Sequence, residues 1–181
     1  MIELVLCSVP SVIYLLVQGS RRRLGWARAA ERLGFTPGTG RDHLRALALL
    51  VPLTALGYGV VALIPDSATR TPGATVAAVT SVWAGVTVLA RALGEEILFR
   101  GLVAGVLFRR LGLARGNVVQ AVVFLLPHLP LLLVDPALWP ILPVQLVAGL
   151  LLGWLRHRSG SVVPGTLVHA VANLGAALVP A

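Results

Sequence analysis

Six apolar segments make up most of this chain, and they leave few folds open to it. A hydrocarbon core about 30 Å thick is crossed by roughly 20 apolar residues of helix. Inside lipid every backbone N–H and C=O must find a partner within the protein, so such segments become helices. Of the 181 residues, 57% are hydrophobic and only 12% are charged. That charged share is about half of what soluble domains carry. A soluble domain of this size has no interior large enough for so much apolar surface. The expectation is an all-α, polytopic transmembrane bundle of about six spans, built as one integral membrane domain over residues 1–181.

The net charge is +8, and all fifteen basic residues are Arg. A basic balance can indicate nucleic-acid binding, but these arginines lie between apolar spans, so no nucleic-acid partner is expected. Connectors 19–45, 109–116 and 156–160 hold twelve of the fifteen, the opposite connectors hold only Arg70, and Arg91 and Arg100 lie within a span. The bias places the Arg-rich connectors in the cytoplasm and both termini outside, in a multi-pass protein of the cell membrane. The apolar run at the N-terminus lacks a basic leader and ends at Arg21-Arg22-Arg23, which fits a retained first span. Cys7 is the single cysteine, so it forms no internal disulfide.

The spans are expected at residues 1–18, 44–64, 75–108, 117–134, 138–156 and 161–179. Between the first two, Trp26 to Leu33 suits an interfacial helix that Gly34-Phe35-Thr36-Pro37-Gly38 breaks. The run 75–108 is too long for a ~30 Å core and must tilt, bend near Gly94 or Gly101, or protrude. Pro127 and Pro130 interrupt the fourth span on either side of His128. Trp26, Trp83, Trp139 and Trp154 suit interfacial anchoring or packing.

The third span carries Glu95, Glu96 and Arg100, with Arg91 one turn earlier. Three such charges facing lipid would cost roughly 9 kcal/mol on insertion scales, so they face protein or a wet cavity. Residues four apart share a helix face, which pairs Glu96 with Arg100 and Arg91 with Glu95. Neighbouring Glu95 and Glu96 point ~100° apart, so they are not equivalent. One division makes Glu96 and Arg100 a structural pair and leaves Glu95 toward a cavity as a general base. On this span alone, catalysis, ion conduction and simple locking of helices all remain open.

Two later spans each contain one histidine. His128 sits where prolines loosen the backbone and admit water. His169 and Asn173 are four apart on one face, and both can donate hydrogen bonds to a developing oxyanion, or simply glue helices together. Counted from the Arg-rich ends of their spans, Glu95, His128 and His169 all lie roughly 12–20 Å deep, so the three can converge. His43 and His157 fall in connectors, and no chemistry is expected of them.

Taken together, Glu95-Glu96-Ile97-Leu98-Phe99-Arg100-Gly101, Phe124 with His128, and His169 with Asn173 resemble the three motifs of the CAAX endopeptidase and bacteriocin-processing (CPBP) family of intramembrane proteases, also called the type II CAAX prenyl endopeptidase family. The match runs in order over successive spans, roughly residues 80–179, which marks that stretch as an expected protease core. The resemblance implies an endopeptidase that hydrolyses peptide bonds with glutamate-activated water and no covalent intermediate. On it, Glu95 is the base, helped by His128; His169 and Asn173 stabilise the oxyanion; Glu96, Arg100 and Phe124 support the site. Some members cut prenylated CAAX proteins and others are tied to bacteriocin self-immunity. The chain departs from the family in having about six spans rather than eight or so, and in carrying Arg91, whose pairing with Glu95 would blunt the base.

A glutamate and two histidines can also hold zinc. No His-Glu-x-x-His pairing occurs, and the resemblance implies a metal-free mechanism, so no cofactor is expected. The expected partners are membrane lipid and a peptide or protein substrate; the sequence leaves the oligomeric state open. The rival expectations are a non-enzymatic immunity or partner-binding protein that keeps the fold, and a small transporter. The absence of an inverted repeat speaks against the transporter.

Overall fold

The computed structural model describes residues 1–20, 24–69, 71, 79 and 81–177, and every regular element among them is helical. Arg21-Arg22-Arg23, Arg70, the start of the expected third span and the end of the expected sixth lie outside the described residues. Helix α1 (Ile2–Ser20) is followed by the short α2 (Trp26–Arg32), α3 (Gly40–Val61) and one turn, α4 (Asp66–Thr69). Helix α5 (Val82–Glu95) runs into a π-helical segment (Glu96–Ala104) and then α6 (Gly105–Leu125). A 3₁₀ turn (Leu126–His128), α7 (Leu131–Val134) and a second 3₁₀ turn (Pro136–Leu138) lead to α8 (Ile141–Ser159) and α9 (Val163–Ala177).

Among the described residues, four helical runs are long and apolar enough to cross a membrane: Ile2–Ser20, Gly40–Val61, Val82–Val134 and Pro136–Ser159. The third run has 53 residues. Straight, it would be about 80 Å long, far more than a bilayer core. It does not stay straight. Gly112 has φ +73°, the left-handed region open to glycine, and the chain folds back on itself there. Phe99 and Phe124, 25 positions apart, meet edge to face at 5.1 Å. This one run therefore contains the expected third and fourth spans. Helix α9, 15 residues long, occupies the expected sixth. The helical membrane bundle expected from the composition is the observed fold.

The hairpin closes tightly because Gly116 has no side chain. A Cβ there would lie 3.0 Å from the Leu107 carbonyl group and from the Phe108 ring. We expect Gly116→Val to destabilise the bundle by about 1–3 kcal/mol, through overpacking against backbone that has nowhere to move. Thermal unfolding in detergent, compared with Gly40→Val at an open position, checks this.

Many large apolar side chains face outward, while several polar and charged ones are buried. Leu6, Val9 and Ile13 of α1, Leu47 and Val51 of α3, Val118 and Val122 of α6 and Val171 of α9 are exposed. Ser11, Glu96, Arg100, Gln120, His128 and His169 are buried. This inversion is what a lipid solvent selects. Helices α6 and α8 approach through small residues, where Gln120 Nε2 donates to the Gly149 carbonyl at 2.7 Å and Asn117 Nδ2 to that of Leu150 at 3.0 Å. Helix α1 leans on α5 and the π segment, and Ser11 Oγ donates to the Ile97 carbonyl at 3.0 Å. Helices α3, α8 and α9 pack through Ala46, Leu53, Leu152, Leu155 and Val168. The short helix expected between the first two spans forms as α2 and stops before Gly34, whose φ is +74°.

Candidate active site

Five helical elements bring the motif side chains together, Phe124 coming from α6. Glu95 is the last residue of α5 and Glu96 the first of the π segment. Wide π turns are often found at functional sites. This one spans Glu96–Ala104 and contains Phe99, Arg100 and Gly101. His128 ends the 3₁₀ turn Leu126–His128, with Pro127 inside it, and His169 and Asn173 lie on α9.

The two glutamates do point differently. Glu96 is fully buried, with Oε1 3.3 Å from Arg100 Nη1 and 3.0 Å from His169 Nδ1. Arg100 is also fully buried, and none of its nitrogens makes a directed hydrogen bond. Its contact with Glu96 is charge against charge. The guanidinium instead lies over the face of Phe124, 4.0 Å from the ring centroid, a cation–π contact of the kind that strengthens away from water. Phe124 is the hub of an aromatic cluster, with ring centroids 5.1 Å from Phe99, 5.0 Å from His128 and 6.2 Å from His169. On α9, Gly165 leaves room for Glu96, since a Cβ there would stand 3.0 Å from Oε2.

Glu95 faces a cavity of about 460 Å³ between α3, α5, α8 and α9. His128, His169 and Asn173 line the same cavity. Apolar walls come from Leu53, Val60, Ile64, Ile141, Val144 and Leu152. Glu95 Oε1 accepts from Arg91 Nε at 3.0 Å, the pairing foreseen from the spacing, while Oε2 is 3.6 Å from His169 Nε2. Arg91 is shared with Glu3 of α1, at 3.6 Å.

Each histidine is oriented by its far nitrogen. His128 Nδ1 is 3.0 Å from the Phe124 carbonyl, which can only accept, so Nδ1 carries hydrogen and Nε2 has a free lone pair. His169 Nδ1 donates to the Glu96 carboxylate and turns Nε2 toward Glu95. Besides Arg91, three polar side chains of the cavity wall, Glu3, Thr87 and Gln145, lie outside the three motifs. Glu3 opens the chain, 92 positions before Glu95, and no local spacing links the two. Gln145 sits on α8, and a polar residue inside an apolar span was the signal available for it. Among the described residues, no three His, Cys, Asp or Glu side chains are arranged to hold a metal ion.

The family model described as Type II CAAX prenyl endopeptidase Rce1-like matches residues 76–175, more than half of the chain. Comparisons with curated proteins and with solved structures gave no match. The long apolar helices together with this match make the chain a membrane protein of a protease family.

Proposed function

Because the chain belongs to the Rce1-like family of type II CAAX prenyl endopeptidases, we propose that it is an intramembrane endopeptidase of the cell membrane whose water is activated by Glu95. The observation that carries this reading is the single cavity lined by Glu95, His128, His169 and Asn173. The protease core would be residues 80–179, with the arginine-rich ends in the cytoplasm.

In the proposed reaction a water sits between Glu95 and the lone pair on His128 Nε2. Glu95 takes its proton while the water oxygen bonds to the scissile carbonyl carbon. The carbonyl oxygen becomes an oxyanion, which accepts hydrogen bonds from Asn173 Nδ2 and from Nε2 of His169 in its imidazolium form, whose Nδ1 keeps its hydrogen bond to Glu96. The proton held by Glu95 then passes to the leaving nitrogen as the C–N bond breaks. Arg91 anchors one Glu95 oxygen and leaves the other for the reaction. Glu96 and Arg100 hold His169 and Phe124 in place. No metal is needed in this scheme.

The test is cleavage of a peptide library by the purified protein in nanodiscs, with new termini read by mass spectrometry. We expect products that resist 1,10-phenanthroline. Products that vanish with the chelator and return with zinc would replace the metal-free scheme. No products at all would overturn the proposal. Asn173→Ala should reduce kcat by about 10²-fold with little change in KM, as for loss of one oxyanion donor. Steady-state kinetics on any cleaved peptide checks this.

The Arg91–Glu95 ion pair favours a second reading, a non-enzymatic immunity or partner-binding protein, because a base held by a cation is a weaker base.

A further inference from the structure

At the end of the bundle opposite Glu3, the three arginine-rich connectors meet around a second cleft. Arg32 ends α2, Arg109 follows the π segment on α6, and Arg156 and His157 close α8. Glu31, Thr36, Phe108 and Ser159 complete most of the wall, and the cleft measures about 470 Å³. Two guanidinium groups converge on a single carbonyl oxygen there. Arg109 Nη1 is 3.4 Å and Arg156 Nη2 is 3.2 Å from the oxygen of Arg32. A bound anion would offset the repulsion between the two guanidinium groups.

Among the described residues no carboxylate comes within 4.0 Å of Arg32, Arg109 or Arg156; Glu3, Asp42, Glu95 and Glu96 form their ion pairs elsewhere, with Arg45, Arg91, Arg100 and His169. Glu31 lines the cleft without pairing with any of them. Arg156 is buried and fixed, with Nε donating to the Arg100 carbonyl at 3.1 Å. A Cβ on Gly34 would come within 2.7 Å of its guanidinium, so the approach is built into the backbone. Arg109 and His157 are exposed at the mouth, and Phe108 packs edge to face on His157 at 5.4 Å, giving an apolar rim.

We propose that this cleft binds the phosphodiester headgroup of an anionic phospholipid. Its place supports a lipid over a free anion. The cleft lies at the arginine-rich ends of apolar helices, beside the short α2, and in a bundle that spans a bilayer such ends meet the headgroups, which basic pockets between helices suit. A phosphate there would accept forked hydrogen bonds from Arg109 and Arg156 together. It would also brace the Arg100 backbone through Arg156. This inference concerns binding and stands whether or not peptide hydrolysis is found.

The test is native mass spectrometry of the purified full chain in detergent with equal phosphatidylglycerol and phosphatidylcholine. We expect phosphatidylglycerol to be retained selectively and to resist a large excess of inorganic phosphate. Arg109→Gln should weaken its retention by about tenfold, the value of a charge-assisted contact. Arg110→Gln removes the same charge one residue further on, outside the cleft, and should keep the selectivity. Circular dichroism confirms that both variants are folded. Equal retention of the two lipids by the unaltered protein would overturn the proposal. So would equal loss in both variants, which means a diffuse field, or displacement by inorganic phosphate, which means a free-anion site.

Discussion

Glu95→Gln is expected to lower the rate of peptide cleavage by about 10³-fold, the middle of the range for loss of a general base. The substitution keeps shape and hydrogen-bonding capacity but removes the ability to take a proton. Its cost in stability should stay near ~1 kcal/mol or less, because the Arg91–Glu95 pair borders a cavity and Arg91 keeps Glu3 nearby. Cleavage assays beside thermal melts in the same detergent separate the two effects. Full activity in this variant would end the glutamate mechanism. An immunity or partner-binding protein would keep its phenotype in cells carrying Glu95→Gln.

Glu96→Ala should act through stability. Glu96 is fully buried and, among the described residues, is the only carboxylate within ion-pair distance of Arg100, which is fully buried too. Removing one partner of such a pair strands the other, at about 3–5 kcal/mol. His169 would also lose the oxygen that orients it. We expect poor yield and a strongly lowered melting temperature, with activity falling in step with folded protein. The double variant Glu96→Gln with Arg100→Met should recover part of the loss, because neither charge then remains uncompensated. A double-mutant cycle on melting in detergent measures the coupling, expected at about 1–3 kcal/mol. Additive losses would show that the two side chains act separately.

The helical class, the short helix α2 and the apolar segments were legible because lipid leaves a chain so few options. The pairings Arg91–Glu95 and Glu96–Arg100 were legible from i,i+4 spacing, and the observed contacts follow it. The π winding from Glu96 to Ala104 was not. It depends on how the widened turn packs against α1 and α6, and periodicity carries no mark of it. Glycine at 112 was visible, but its role as the reversal point needed the fold. The convergence of Arg109 and Arg156 on the Arg32 carbonyl was equally hidden, because charge bias says which end of the bundle a residue occupies and not which neighbour it meets. The common depth of Glu95, His128 and His169 was an estimate from residue counts, and all three line one cavity.

Chain order gives the buried pair a further consequence, in biogenesis. His169 lies 73 positions after Glu96. At synthesis rates of 5–20 residues per second, Glu96 and Arg100 leave the ribosome roughly 4–15 s before the histidine that caps them. During that interval the span entering the membrane has to neutralise its own charge. Placing acid and base one turn apart on a single helix does so without help from any later segment, and α9 then arrives to a partner already in position.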